Sequence, residues 1–320
     1  MDKTNTYRLA DAQREHLREA STRRQRAGVS NLSDPSSPKL APGTGAALLE
    51  VGFPVDDLVK QLFRSTSPFL VIDNLPVESL DSDWRVGPTP VTSFVLTALL
   101  DSLNLTVFGY RQEKDGALYH DLYPIPGSEQ TYSNAGRVPF SLHTENPYLP
   151  RAARPTVLAI AGINNDSNTE TLVVPVSRIT AQMPSDIRAA LERAEFTFRQ
   201  SDSFQLNGYD VHRRGTAILG KRDGFDEFRW AITNRESTPD GARAIEWVRA
   251  MYEDVSTRVV VQPGQALIFN NHRCLHGRGA IEGRRWMKRV YGIDKTNLLD
   301  DSHLIDVWST LSNPSIDHSF

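Results

Sequence analysis

Most of the chain after residue 105 consists of short β-branched, aromatic and aliphatic runs separated by Gly, Pro, Asn and Asp. Such runs predict short strands, and the residues between them predict turns. Many short strands favour an antiparallel sandwich or barrel over a doubly wound sheet. The predicted strands are 69–72, 106–110, 156–161, 171–176, 196–199, 216–219, 228–232, 258–261, 266–269 and 287–291.

Helical patterns lie before this β-rich region and at two places inside it. Residues 7–27 are charged and good helix formers, which predicts a polar surface helix. Residues 30–45 are rich in Ser, Pro and Gly, which predicts a flexible connector. We therefore expect residues 1–45 to form an N-terminal helix and connector, and residues 46–320 to form a single domain. Further helices are predicted at 54–64, 91–103, 185–194, with Ser185 as N-cap, and 242–255.

The combined pattern predicts a fold that is mostly β with flanking α-helices. A double-stranded β-helix, or jelly roll, accommodates many short strands with helices packed outside it. A site for small molecules is expected in the mouth of such a sandwich.

Composition removes several classes of protein from consideration. A chain of 320 residues with 39% hydrophobic content can bury a sizeable core. No apolar run approaches the roughly 18 residues that cross a bilayer, and the N-terminus lacks a secretory pattern, so we expect a soluble, cytoplasmic protein without a membrane partner. A net charge of −3 gives no basic field for nucleic acid. The single cysteine, Cys274, excludes an internal disulfide and a thiolate-rich zinc site.

A His-x-carboxylate pair, His143-Thr144-Glu145, is the first candidate for chemistry, and His276 lies far downstream. If residues 141–146 are extended, the side chains of His143 and Glu145 point to the same side. Two histidines and one carboxylate leave three metal positions open, as in non-haem Fe(II) oxygenases. A surface pair without metal remains the alternative for the tripeptide alone.

Hydroxyl and guanidinium groups lie at distances that suit an acidic ligand. Thr171 begins an apolar run, and Arg285 and Arg289 share one face if their segment is extended. Guanidinium groups hold carboxylates bidentately in partly buried sites. A solvated basic face is the alternative for these arginines.

Ordered motifs from about residue 65 to 293 make the chain resemble the clavaminate synthase-like branch of the TauD-like superfamily. The motifs are Asp73-Asn74-Leu75-Pro76, Gly87-Pro88-Thr89-Pro90, Phe108-Gly109-Tyr110, Gln112, Asp121-Leu122-Tyr123-Pro124 with Gly127, His143-Thr144-Glu145-Asn146, Asn271-x-Arg273-x-x-His276-Gly277-Arg278 and Arg285-Trp286-x-x-Arg289.

The resemblance implies a dioxygenase that uses Fe(II) and 2-oxoglutarate, together with dioxygen and a small substrate that has an acidic or amino-acid-like group. It implies a lid at residues 199–213. Arg285 is preferred to Arg284 because Trp286 and Arg289 then follow in the expected order. The implied roles are iron ligation for His143, Glu145 and His276, 2-oxoglutarate binding for Thr171 and Arg285, and substrate binding for Arg289, Gln112, Ser133 and Asp202.

Hydroxylation of an unactivated C–H bond is the expected reaction, with succinate and carbon dioxide as co-products. Retention of Glu145 argues against halogenation, which needs that ligand position for chloride. Arginine hydroxylases of the branch carry an Asp-x-Asp pair where Ala231 and Thr233 stand here, which disfavours a guanidinium-bearing substrate. Desaturation or ring closure, a non-catalytic metal- or acid-binding β-sandwich and a metal-dependent hydrolase are the alternatives.

Overall fold

The computed structural model describes residues 5–26, 44–81, 83, 85–201, 203–204, 206, 208–231, 238–298, 303–313 and 315. Its helices are α1 (Asp11–Arg26), α2 (Ala46–Glu50), α3 (Val55–Arg64), α4 (Pro90–Ser102), α5 (Val176–Thr180), α6 (Ser185–Glu192), α7 (Pro239–Ala250), α8 (Tyr252–Val255) and α9 (Val307–Ser312). None of the helices in these described ranges is both long and apolar enough to cross a membrane.

The strands alternate with these helices along the chain and are mostly short. They are β1 (Thr6–Arg8), β2 (Phe69–Asp73), β3 (Leu105–Tyr110), β4 (Tyr119–Leu122), β5 (Phe140–His143), β6 (Val157–Asn165), β7 (Glu170–Pro175), β8 (Phe196–Arg199), β9 (His212–Thr216), β10 (Leu219–Arg222), β11 (Phe225–Phe228), β12 (Thr257–Val260), β13 (Ala266–Asn270), β14 (Cys274–Arg278), β15 (Arg285–Asp294) and β16 (Leu304–Ile305).

The larger sheet has the order β1-β2-β13-β6-β15-β3-β16, and β4 also pairs with β15. Its central strand β6 is buried on both faces because its side chains alternate between two apolar clusters. Leu158 and Ile160 belong to one cluster, while Val157, Ala159 and Ala161 belong to the other. The sheet therefore separates an inner core from a helix-covered outer core.

A smaller sheet, of order β12-β7-β14-β5, packs over the inner face of the larger sheet. Val173 of β7 and Leu275 of β14 belong to the same cluster as Ile160 of β6. Two facing sheets with helices outside confirm the prediction of a mostly β fold with flanking helices. The long strand β15 lies within the larger sheet, between β6 and β3. Side chains on its inner face therefore point into the space between the two sheets.

The N-terminal segment is attached to the outer face of the larger sheet. β1 pairs with β2 in parallel, which moves the start of the first helix from the predicted residue 7 to Asp11. Leu17 and Ala20 of α1 join the outer apolar cluster together with Leu96 of α4. Most of the predicted connector, residues 30–43, lies outside the described residues.

Several predicted elements end elsewhere than expected. Instead of one strand at 216–219, β9 ends at Thr216 and β10 begins at Leu219. The strand predicted at 228–232 is also wrong, because β11 ends at Phe228. Ser185 is not the N-cap of α6: Pro184 occupies that position without a side-chain hydrogen bond. A proline is suited to a helix start because its missing N–H has no partner there in any case.

Candidate metal centre and substrate cavity

The three predicted metal ligands meet between β5 and β14 of the smaller sheet. His143 is the last residue of β5 and is the register partner of His276 on β14. The ligand atoms of His143, Glu145 and His276 all lie within 4.8 Å of one another. The predicted extended run 141–146 is only partly correct, because Glu145 lies beyond the end of the strand.

Close approach of the two strands depends on Gly277. A Cβ atom at this position would lie 2.5 Å from the carbonyl oxygen of Phe140, closer than real Cβ contacts. Any larger residue would push β5 away from β14 and separate the two histidines.

The main chain around Glu145 is fixed by an asparagine from the other side of the site. The backbone N–H of Glu145 donates to Oδ1 of Asn271 at 2.8 Å, and Nδ2 of Asn271 donates to the carbonyl oxygens of Glu145 and Pro155 at 3.3 and 3.0 Å. Asn146 then turns the chain with a φ of 51°, a conformation that asparagine tolerates better than most residues. Glu145 thus reaches the histidines from a turn rather than from a strand.

The protonation states of this group match those of metal ligands. Burial, with the neighbouring His276, lowers the pKa of His143 to about 4, so its ring is neutral at neutral pH. Burial alone would raise the pKa of Glu145, but Arg289 and the two histidines hold it well below its usual value. Nδ1 of His143 lies 2.9 Å from the carbonyl oxygen of Ser141, to which it donates in the tautomer that leaves Nε2 as a lone-pair donor. Neutral imidazoles and an ionised carboxylate are the forms that bind a divalent cation.

A narrow cavity of about 30 Å³, partly open to solvent, extends from the histidines between the sheets. Thr171, Arg285 and Arg289 all line it, as predicted from their positions in the sequence. The hydroxyl of Thr171 and Nε of Arg285 are buried and have no hydrogen-bond partner among the described residues. A hydroxyl and a guanidinium that can still donate hydrogen bonds suit the terminal carboxylate of 2-oxoglutarate, which accepts them. These two donors therefore fit this co-substrate.

Arg289 lies at the other end of the cavity and is surrounded by polar partners. Its Nη1 donates to Glu145 Oε1, and its Nη2 donates to Nδ1 of His120 at 2.8 Å. Nε2 of His120 lies 3.0 Å from the carbonyl oxygen of Ala117. Because His120 accepts at Nδ1 and donates at Nε2, it is neutral, and burial places its pKa well below the usual value.

A buried carboxylate, Glu113, was missed by the sequence analysis and lies beside Arg289. Its Oε1 is 3.7 Å from Nη2 of Arg289 and accepts a hydrogen bond from the hydroxyl of Ser203 at 3.1 Å. Its Oε2 is buried without a hydrogen-bond partner among the described residues. Burial raises the pKa of Glu113 to about 7, with Arg289 opposing that rise. No local signal marks this residue, because the run 111–115 reads as an ordinary charged turn.

More unsatisfied polar groups lie near this carboxylate. The hydroxyl of Tyr148 and both amide atoms of Asn146 are buried without partners in the described part of the chain. The Glu113 carboxylate contributes to raising the pKa of Tyr148, after burial itself. Buried polar groups usually have partners, so a cluster of unsatisfied ones indicates a place for a polar ligand.

The predicted lid, residues 199–213, contacts this end of the cavity through Phe204. The backbone of Phe204 forms an antiparallel bridge with Glu113. Its ring centroid lies 5.2 Å from that of Tyr110 and 5.8 Å from that of Tyr148. The segment thus places an aromatic side chain against Tyr110 and Tyr148 next to Glu113, whereas Asp202 lies outside the described residues.

Two further predicted substrate residues are placed differently. Nε2 of Gln112 donates to Asp306 at 2.8 Å and its Oε1 accepts from the Val307 N–H at 3.0 Å, so its amide holds the start of α9. Ser133 contributes its carbonyl oxygen to Arg278, while the next residue, Asn134, lines the cavity. The substrate roles of Gln112 and Ser133 remain predictions.

Comparison with known proteins gives matches over most of the chain. A profile described as "Taurine catabolism dioxygenase TauD, TfdA family" matches residues 54–291. Enduracididine beta-hydroxylase of Streptomyces hygroscopicus is 24% identical over 275 residues, covering 71% of this chain and 78% of that protein. Clavaminate synthase 2 of Streptomyces clavuligerus is 26% identical over 243 residues, covering 71% and 74% respectively.

The fold also matches a solved enzyme structure. The structure of asparagine oxygenase in complex with Fe(II), 2S,3S-3-hydroxyasparagine and succinate superimposes with a TM-score of 0.76 at 18% identity, covering 94% of this chain and 99% of that one. This likeness confirms the predicted jelly roll, and the match to clavaminate synthase 2 confirms the predicted family resemblance.

Proposed function

This chain belongs to the taurine catabolism dioxygenase TauD, TfdA family, and from that premise we propose that it hydroxylates an α-amino acid or a small amino-acid derivative. The reaction would use Fe(II), 2-oxoglutarate and dioxygen. The observation that carries this proposal is the cluster of two histidines and one carboxylate, with ligand atoms within 4.8 Å of one another, on the wall of a cavity that Thr171 and Arg285 also line.

Each residue of the cavity has a distinct task in this proposal. His143, Glu145 and His276 would hold the iron, and three ligands on one side leave positions for the other reactants. When bound, iron and 2-oxoglutarate supply the oxidising power: one oxygen atom of dioxygen enters the substrate and the other enters succinate, with loss of carbon dioxide. Thr171 and Arg285 would orient the co-substrate by its distal carboxylate, and the surrounding apolar sheets exclude water.

The substrate class follows from two groups of opposite charge: Arg289, which lines the cavity, and Glu113, which is buried beside it. Arg289 offers a guanidinium to a carboxylate, and Glu113 offers a buried carboxylate to an ammonium group. An α-amino acid carries both groups on one carbon. Enduracididine beta-hydroxylase and asparagine oxygenase, the similar proteins named above, are by their names enzymes of amino acids, which supports the same class here.

Glu113 takes over the task that the sequence suggested for Gln112 in this proposal. Gln112 is occupied by Asp306 and Val307, whereas one oxygen atom of Glu113 has no partner among the described residues. A carboxylate at this point favours a cationic amino group over a neutral amide or hydroxyl.

The test is a screen of free and modified amino acids with protein loaded with Fe(II) under air. Substrate-dependent succinate formation, with mass spectrometric gain of one oxygen, is the expected result. Loss of two hydrogens instead would identify desaturation or ring closure with the same cofactors.

Variants of the ligands separate metal chemistry from background turnover. Glu145→Ala and His276→Ala are expected to abolish succinate formation, because a site with two ligands no longer holds iron in place. His16→Ala on the surface helix α1 is the matched control and should turn over normally. Undiminished turnover in both ligand variants would contradict the proposed metal site.

A further inference from the structure

Arg278 stands two residues after His276 on β14 and lines the same cavity. Residues two apart on a strand point to the same face, so its guanidinium lies on the inner side of the smaller sheet. It is 5% exposed, and in the sequence it stands out only as a member of the motif that contains His276.

The guanidinium of Arg278 is bonded to the connection between β4 and β5, residues 123–139, here called the β4–β5 loop. Nη1 donates to the carbonyl oxygen of Val138 at 2.6 Å, and also to that of Gly279 at 3.1 Å. Nη2 donates to the carbonyl oxygens of Gly136 and Ser133 at 2.6 and 3.0 Å. Three of the four acceptors therefore belong to this loop, and one side chain fixes its path.

The β4–β5 loop forms part of the cavity wall through Asn134. It is tightly folded, since a Cβ atom at Gly136 would lie 1.8 Å from the carbonyl oxygen of Thr131. A second arginine of the loop, Arg137, reaches the opposite way and donates to the carbonyl oxygens of Ile281 and Gly283 at 3.1 and 3.0 Å. Arg137 thus fastens the same loop without lining the cavity.

The positive charge of Arg278 lies near that of Arg285 in the cavity, whereas Arg137 does not line the cavity. Arg278 lies close enough to Arg285 to lower its pKa, which burial already lowers, to about 9. Arginine nevertheless keeps its proton in proteins. Within the described residues neither Arg278 nor Arg285 forms an ion pair with a carboxylate, so two buried positive charges share one end of the cavity. Buried charges are ordinarily paired, and an anionic ligand would pair these two.

We propose that Arg278 is a positioning residue of the co-substrate site, which holds the β4–β5 loop against the cavity and supplies a second cation beside Arg285. The site would thereby select a 2-oxo acid with a distal carboxylate over a 2-oxo monoacid. This inference rests on the proposed function, since it concerns the binding of 2-oxoglutarate.

The test compares three variants of the full chain. Arg278→Gln removes both the charge and the forked donor, Arg278→Lys keeps only the charge, and Arg137→Gln is the matched control that loosens the loop from its other side. Each protein is loaded with Mn(II) without oxygen and titrated calorimetrically with 2-oxoglutarate and, separately, with 2-oxobutanoate, which lacks the distal carboxylate. Hydrogen exchange of residues 131–138 is measured in parallel and does not depend on activity.

The expected results differ between the variants. Arg278→Gln should weaken 2-oxoglutarate binding on the order of 10- to 100-fold, the range of a charge-assisted hydrogen bond, and change 2-oxobutanoate binding by less than about threefold. Arg278→Lys and Arg137→Gln should retain the preference for 2-oxoglutarate. Exchange in the loop should rise in both Arg278 variants.

Two outcomes would overturn the proposal. A preference for 2-oxoglutarate over 2-oxobutanoate that is as large in Arg278→Gln as in the wild type rules out the second cation, and unchanged loop exchange in both Arg278 variants rules out the positioning role. If Arg278→Gln does not fold, the wild type still decides the first point: a preference for 2-oxoglutarate over 2-oxobutanoate below about 100-fold would contradict a site with two cations.

Failure of the proposed function gives a different signature. Wild-type protein that binds neither 2-oxo acid would refute the co-substrate and with it the charge role of Arg278. The exchange measurement would still show whether Arg278 holds the loop.

Discussion

Arg285 and Arg289 lie four residues apart on β15 and line the same cavity, but their surroundings differ. Arg285 has another cation, Arg278, beside it and no ion pair with a carboxylate among the described residues. Arg289 contacts the carboxylate of Glu145 and lies 3.7 Å from that of Glu113. One strand therefore presents an end with excess positive charge and an end whose charges are balanced.

The difference indicates what each end can accept. Excess charge in a buried place favours a ligand that brings negative charge, such as a dicarboxylate. Where positive and negative side chains already balance, a ligand with a net charge would leave a buried charge unpaired. A zwitterion is favoured there, because its carboxylate can pair with the arginine and its ammonium group with a carboxylate. In the proposed function the same side-chain type would thus bind two different ligands because its neighbours differ.

Exchanging the arginines for glutamine should affect different reactants. Arg285→Gln is expected to raise the KM for 2-oxoglutarate by about two orders of magnitude or more, since losing one partner of a buried charge pair costs about 2–5 kcal/mol. Arg289→Gln should instead raise the KM for the amino acid and reduce coupling of succinate formation to hydroxylation. Steady-state kinetics with each reactant varied in turn, together with product quantification, measures both. Equal losses for both reactants in both variants would show that the two ends are not separate.

The stability of the balanced end should depend on pH through Glu113. Burial raises its pKa from the ordinary 4.5 of a glutamate to about 7 in the folded protein, so the folded state binds the proton more tightly than the unfolded chain. The free energy of unfolding should therefore fall as pH rises from about 4.5 to 7, by on the order of 3 kcal/mol relative to Glu113→Gln. Urea unfolding of both proteins at several pH values measures this difference. Parallel pH profiles for the two proteins would contradict it.

Substrate affinity should follow the ionisation of the same carboxylate in the opposite direction. An ammonium group pairs with ionised Glu113, so the KM for the amino acid should fall as pH rises through about 7. Glu113→Gln is expected to raise that KM about 10- to 100-fold above pH 7 and to remove the pH dependence. An unchanged KM in this variant would exclude Glu113 from substrate binding, while the KM for 2-oxoglutarate serves as the internal control.

The smallest effect is expected in the lid. Ser203→Ala removes one hydroxyl that donates to Glu113, and loss of such a hydrogen bond costs about 0.5–1.5 kcal/mol. The KM for the amino acid should rise a few-fold, with that for 2-oxoglutarate unchanged. Ser185→Ala is the matched control, since this exposed serine does not cap α6. No change in Ser203→Ala would show that the lid acts independently of Glu113.

The candidate metal ligands on strands and the residues proposed to bind 2-oxoglutarate could be identified from the sequence because regular strands place them. Three of these residues lie on strands: His276 on β14, Thr171 on β7 and Arg285 on β15. Side chains of a strand point alternately to its two faces, so the sequence predicts which of them share a face. Glu145 was identified together with His143, although its position depends on the turn at Asn146 rather than on a strand.

The substrate end was less predictable because its residues come from loops and distant segments. Gln112 is occupied by Asp306, which lies 194 residues further along the chain. In the β4–β5 loop the residue that lines the cavity, Asn134, is the neighbour of the predicted Ser133, because the local sequence does not fix which side chain points inward. Glu113 stands in a charged run of the sequence. Its burial depends on contacts with Arg289 of β15 and with Ser203 and Phe204 of the predicted lid, which are distant in the sequence.

The position of β5 at the outer edge of the smaller sheet has a consequence for folding. Among the described residues β5 is paired along only one side, to β14, and both strands contribute a histidine to the candidate metal centre. A cation bound there would hold β5 to β14 through one histidine of each strand. A ligand that binds only the native state stabilises it, and at saturating concentrations this stabilisation grows with the logarithm of the free ligand concentration. Depletion of iron would then first release the edge strand and its preceding loop, so metal supply would govern the lifetime of this part of the fold as well as its chemistry.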